Sequence, residues 1–168
     1  MEIWPDWSID DHTKYIDEKG LIEVIGPLGV IGLTGWYVPT YVIEGDPERG
    51  IEPVAPDLKT WEHLNKSADL FKRPESGDKG YGLDSVPAWQ NFNEDRIEHL
   101  GLNFINVYAG TEGAFFAEME GAYKRGEPIL TLNLWAPHWF MAKYDFTEIK
   151  LPPYNDECWA TTHACAWK

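Results

Sequence analysis

Apolar positions along this chain follow two different periods. In PILTLNLW (128–135), Leu130, Leu132 and Leu134 alternate with Thr131 and Asn133, a period of two that predicts a strand. In TEGAFFAEMEGAYKRG (111–126), Phe115, Met119 and Ala122 recur at helical spacing. Thr111 can cap that helix, Lys124 and Arg125 sit where the dipole favours cations, and Gly126 ends it. The same reading gives short strands at LIEVIG (21–26), VIGLTG (30–35), NFINVYAG (103–110) and FTEIKL (146–151). It gives a short helix near Pro39, one over 59–64 capped by Asp57, one in QNFNEDRIEHLGL that stops at Gly101, and a helical turn in HWFMAKYD. DPERGIEPVAP and KRPESGDKGYG read as loops, LDSVPAW as the entry to a turn, and Met1 to Asp11 as irregular or a strand end. Strands alternating with helices predict the α/β class, with crossover helices on a sheet.

Composition changes this picture in one respect. A chain of 168 residues suits one domain or one lobe of something larger, and 43% hydrophobic residues can build a core. Nine Trp, eight Tyr and seven Phe exceed what a core of this size needs. Flat aromatic faces have a second use, in binding sugars or cations. A net charge of −14 argues against nucleic acid and against an anionic membrane surface. MEIWPDWSIDD lacks the basic start and apolar run of a signal peptide, and no stretch approaches the roughly 20 apolar residues of a membrane span. No direct membrane insertion is expected, and the compartment stays open.

The tryptophans fall at places where the chain turns. Trp89 lies in SVPAWQ, at the mouth of a helix, and Trp135 in LNLWAPHW, at the exit of a strand. Both follow strand-like runs, so both are expected on one edge of the sheet, where ligands of α/β folds sit. Trp7 in WPDWSID, with Trp4 as its competitor, and Trp36 with Tyr37 in GWYVP are further candidates. Burial is the common fate of Trp, so each ring taken singly reads as core. Gathered, they would form an aromatic box. A quaternary ammonium against a ring face gains about 0.5–2 kcal/mol per ring, and it has no N–H to donate to a carboxylate. Trp135 is expected as wall and Trp139 as core.

With these residues in view, the chain resembles the substrate-binding proteins of ABC importers for glycine betaine, proline betaine and related osmolytes. The resemblance rests on VIGLTGWYVPTYVIEGDPE, SVPAWQNFNEDRIEHLGL and GAYKRGEPILTLNLWAPHWFMAKYDFTEIKLPPYNDECW. Pro87-Ala88-Trp89 stands where the family shows Pro-Gly-Trp, and Trp135-Ala136-Pro137 where it shows Trp-Thr/Ser-Pro. The resemblance implies a periplasmic-binding-protein-like (type II) lobe, α/β, with a central mixed sheet flanked by helices. It implies that Trp89 and Trp135 are box members, with Trp7 as a third wall. It also implies that the main-chain N–H of Gln90, where the family commonly has Gly, contacts the ligand. Asp10, Asp11 and His12 beside Trp7 would suit choline or an N-oxide better than a carboxylated betaine.

Family members are two-lobed and longer. The resemblance therefore implies a first-lobe remnant and hinge crossing over 1–34, the second lobe over 35–136, and a return crossing with first-lobe remnant over 137–168. The implied partners are a small quaternary ammonium ligand and the membrane subunits of an ABC importer, in a periplasmic or extracellular setting. A fragment would complete its box only by pairing with another chain, as in a homodimer. The resemblance implies no enzyme and no cofactor. The competing reading is a carbohydrate-binding module or glycosidase-like domain, in which the same faces stack on sugar rings.

Other constellations are weaker. Cys158 and Cys165, six residues apart, could close a disulfide in an oxidising compartment or stand as two thiols. His163 with these cysteines lacks a fourth ligand and a recognised zinc spacing, so no metal is expected. Asp and Glu total 28, which reads as a solvated surface rather than a glycosidase pair. AGTEGA could offer N–H groups to an anion, but an N-cap at Thr111 explains it equally well and Glu112 would repel the anion.

Overall fold

The structure, a computed structural model, describes residues 9–167. Five strands form one mixed sheet: β1 Leu33–Pro39, β2 Gly80–Asp84, β3 Phe104–Tyr108, β4 Leu130–Ala136 and β5 Phe146–Ile149, in the order β3-β2-β4-β1-β5. β2 pairs parallel with β3 and β4, while β1 pairs antiparallel with β4 and β5. The helices are α1 Ile9–His12, α2 Tyr41–Glu44, α3 Leu64–Ser67, α4 Asn93–His99, α5 Glu112–Arg125, α6 Trp139–Lys143 and α7 Asp156–Thr161.

Two apolar layers cover the sheet. On one side Trp36, Val38, Phe104, Leu130 and Leu132 pack against Val42, Leu58, Leu64, Phe71 and Ile97. On the other, Tyr37, Tyr81, Leu83 and Leu134 meet Phe115, Phe116 and Met119 of α5 and Phe140 of α6. Successive residues of β1 thus face opposite layers, as the pleat requires. α5 ends where its sequence says it should. Thr111 Oγ1 accepts the Ala114 N–H at 3.1 Å, and Gly126 turns out of the helix at φ 70°.

The structure differs from the sequence reading in four places. Ile9 to Asp11, read as irregular or a strand end, opens helix α1. Residues 21–32 form no strand, and apart from half-buried Ile22 their large apolar side chains stand in solvent, Ile25 fully. A strand needs a neighbour to pair with, and none is present there among the described residues. Conversely, Gly80–Asp84, read as loop and turn, is a fully buried strand. Its glycines are required by packing. A Cβ at Gly80 would lie 2.4 Å from the Phe104 ring, and one at Gly82 would lie 2.6 Å from Leu132. Finally, Asp57 caps no helix. A 3₁₀ turn at Trp61–His63 follows Thr60 and leads into α3.

Candidate functional site

Parallel pairing brings the C-terminal ends of β2 and β4 to one edge of the sheet, and the start of β1 joins them, with Leu33 opposite Ala136. Ligands of open α/β sheets collect at such an edge. Trp135 is the penultimate residue of β4, and Trp89 lies on the loop between β2 and α4. The structure brings the two together, with ring centroids 5.7 Å apart and planes at 76°. Both are half-buried. Phe116 of α5 meets Trp135 at 5.6 Å, and His138 meets it at 4.6 Å while lying flat on Phe116 at 4.5 Å. The result is a corner of aromatic planes. His138 Nδ1 accepts the Phe140 N–H at 3.2 Å, so the ring proton sits on Nε2. Burial pushes the His138 pKa down, with Glu112 opposing, so the imidazole is neutral at neutral pH.

The loop that presents Trp89 is held from beneath by one carboxylate. Asp84 is fully buried at the end of β2. Its Oδ1 accepts the Ser85 N–H at 2.7 Å and the Asn91 side-chain amide at 2.8 Å, and its Oδ2 accepts the Asn93 amide at 2.9 Å. The carboxylate thus ties the two ends of the 85–91 loop together. Asn93 also donates to Leu132 O at 3.0 Å, and Asn133 donates to Ser85 Oγ at 2.6 Å, which fastens the loop to β4. Burial raises the Asp84 pKa, against the opposing pull of these donors.

The other sequence candidates separate. Trp36 is core, not wall: it is 0% exposed, and its indole N–H donates to Asn93 Oδ1 at 2.9 Å. Tyr37 is also buried, in the layer under α5, where burial followed by Glu148 pushes its pKa up to about 12. Both belong to the β1 interior, which the pleat closes to ligand on either face. Trp139, expected as core, is 56% exposed, because α6 buries Phe140 instead. Gln90 is engaged through its side chain: Oε1 accepts the Asp10 N–H at 3.2 Å, and Nε2 donates to Asp10 Oδ2 at 2.9 Å. This pair lays α1 across the Trp89 loop. Trp7 and Trp4 lie outside the described residues. Cys158 and Cys165 are two thiols rather than a disulfide. Burial, then a hydrogen bond with Cys158, pushes the Cys165 thiol up to about 11. Among the described residues no group of His, Cys, Asp and Glu could hold a metal ion, and no helix is long and apolar enough to cross a membrane.

Sequence reasoning missed Phe116, His138 and the Asp84 bracket. The signals were present as Asn133 inside an apolar strand and His138 between two tryptophans, but nothing local ties Asp84 to Asn91 and Asn93.

A family model described as the substrate binding domain of ABC-type glycine betaine transport system matches residues 1–163. Three solved structures share the fold. The glycine betaine/L-proline-binding protein ProX from Borrelia burgdorferi has a TM-score of 0.60 at 20% identity, covering 86% of this chain and 48% of that one. Lactococcal OpuAC, closed on glycine betaine, has a TM-score of 0.53 at 17% identity, covering 82% and 45%. An ABC-transporter choline-binding protein in complex with choline has a TM-score of 0.55 at 15% identity, covering 95% and 49%. The neighbours are type II periplasmic binding proteins, and this chain spans about half the length of each.

Proposed function

This chain belongs to the family of substrate-binding domains of ABC-type glycine betaine transport systems, and we propose that it binds a quaternary ammonium or related osmolyte against Trp89 and Trp135 for delivery to the membrane subunits of an ABC importer. Glycine betaine, proline betaine, choline and trimethylamine N-oxide share the required chemistry. Each presents methyl groups around a positive nitrogen with no N–H, so ring faces recognise it better than carboxylates do. The observation that carries this reading is the meeting of Trp89 and Trp135 at the sheet edge. Beside them, the His138 Nε2–H and the main-chain N–H of Gln90 are the donors proposed for a ligand carboxylate or oxide. A neutral imidazole suits a site for a cation, since an imidazolium would repel it.

Residues 35–136 form the centre of the proposed second lobe, with 1–34 and 137–168 as the segments leading to and from a first lobe. β5, within the latter segment, returns to the sheet beside β1. Trp7 would close the box from the far side in a periplasmic or extracellular setting, and closure by hinge bending would exclude water. Two rings alone, each at the upper end of about 2 kcal/mol, support a Kd of about 1 mM. This chain by itself is therefore expected to bind weakly, and a homodimer would be the route to a fuller box.

Calorimetric titration with the four methylated amines and with cellobiose tests the proposal. Saturable heat with at least one amine, lost in Trp89→Ala, is the expected result. Heat with cellobiose alone would replace the cation site by a sugar platform.

A further inference from the structure

The residues that follow Gln90 are gripped from the far end of the chain. Phe92 sits in the left-handed region at φ 54°, a strained place for an aromatic residue. Its ring lies flat on His163, with centroids 3.9 Å apart and planes within 4°, and Trp159 meets it edge-on at 5.8 Å. His163 Nδ1 is 3.1 Å from Asp95 Oδ2, which fixes the imidazole to α4. Next to Asp95 on α4, Arg96 is fully buried. It donates its Nε–H to Cys165 O at 2.8 Å and a terminal N–H to Asn91 O. The Trp167 ring lies 3.8 Å from its guanidinium carbon. Asn91 in turn holds Asp84 at 2.8 Å. Tail and loop are thus joined twice within two residues of Gln90, once by stacked rings and once by a shared arginine.

We propose that segment 154–167 is a clasp on the ligand loop, and that Phe92, Arg96 and His163 are positioning residues that hold Trp89 against Trp135. The physical logic is preorganisation. The 85–91 loop is anchored by Asp84 at its base, but neither residue at its exit would keep its backbone there without help. Phe92 would relax from φ 54°, and Asn91 O would lose its charged donor. Stacking offsets the strain at Phe92, and the fork of Arg96 fixes Asn91 to the tail. A rigid loop meets the ligand with its rings already placed, so less affinity is lost to ordering. A lysine at 96 could not reach two carbonyls with planar, divergent N–H groups.

The ligand arm of this inference rests on the cation site proposed above, while its loop arm does not. The test compares His163→Ala with His163→Phe, which share the left-handed backbone at 163 and differ in the ring offered to Phe92. In the full chain without ligand, amide exchange is followed by mass spectrometry, and glycine betaine and choline are titrated calorimetrically. His163→Ala and Arg96→Lys are expected to speed exchange over 85–92 while leaving β4 unchanged, and to weaken the amine that binds by about three- to tenfold. His163→Phe, which keeps a ring for Phe92 but loses the Asp95 contact, is expected to recover part of each. Unchanged exchange at 85–92 in His163→Ala overturns the clasp. So does a uniform rise across the sheet, which would make the tail a general support only. If the wild-type chain binds none of the four methylated amines, the cation site fails, and the exchange comparison still decides the clasp.

Discussion

Asp84 accepts the side-chain amide of Asn91 at 2.8 Å across the base of the loop that carries Trp89. The bond spans seven residues and, with the Asn93 amide on the other oxygen, makes one carboxylate the common anchor of β2, the loop and α4. The geometry of the Trp89 loop therefore depends on a residue buried beneath it. Its effect reaches the indole through the backbone of Ser85 to Asn91.

Asp84→Asn is the sharp test of that dependence. The side chain keeps its size, but one oxygen becomes an NH₂ that faces the donor amide of Asn91 or Asn93. Leaving such a buried group unmatched costs about 1–3 kcal/mol. The expected outcome is a lower melting temperature, with a weaker near-ultraviolet circular dichroism signal from the Trp89–Trp135 pair. An unchanged signal would show that the loop is held without Asp84.

The two tryptophans of the pair should separate in a mutational comparison. Trp89 stands on a loop, whereas Trp135 also meets Phe116 and His138. Trp135→Ala is therefore expected to lower stability by about 1–3 kcal/mol, from lost burial and ring contacts. Trp89→Ala should lower it by clearly less. Both should lose methylated-amine binding. Denaturant melts alongside the titrations read the two effects apart.

How far these features were legible in the sequence follows from how local each is. α5 could be read complete, cap to cap, because Thr111, the apolar stripe and Gly126 lie within a single helix. The pairing of Trp89 with Trp135 was within reach, because both lie where the chain turns, although the strand ahead of Trp89 was itself not read. Trp36 stood as a wall candidate beside its core reading, because a residue at a strand's centre and one at its lip look alike until the register is known. β2 was hidden because its glycines signal a turn, while the reason for them, the Phe104 ring and Leu132, comes from β3 and β4. The Asp84 bracket and the Arg96 fork join residues that only the folded chain brings together.

Glycines offer a paired prediction of opposite sign. A Cβ at Gly82 would meet Leu132 Cδ1 at 2.6 Å and the Ile105 carbonyl oxygen at 3.2 Å. Gly82→Ala is expected to destabilise by about 1–3 kcal/mol, since the backbone cannot move aside. Gly113, within α5, has nothing within 4 Å of such a Cβ. Gly113→Ala is expected to stabilise by about 0.4–1 kcal/mol, chiefly by restricting the unfolded chain. Chemical denaturation of both variants checks the sign.

Acid should weaken the contact between α5 and α6. Glu120 on α5 accepts from Lys124 on its own helix and from Lys143 and Tyr144 at the end of α6. Lys124 chiefly, then Tyr144, hold the Glu120 carboxyl down to about 2, from an ordinary 4.5. A carboxyl depressed on folding binds fewer protons in the native state than in the unfolded chain, so its contribution is complete above pH 4.5 and is lost as pH falls toward 2. The group is partly exposed and its lysine partners are more so, so the effect is modest and should shrink in high salt. Glu120→Gln removes the charge while leaving an acceptor for Tyr144. Melting temperatures of wild type and Glu120→Gln should differ at neutral pH and converge toward pH 2. A constant gap across that range would mean that packing, not charge, holds Glu120 to α6. Because α6 begins beside His138, loss of this contact within the folded chain should appear as a change in tryptophan fluorescence near pH 2.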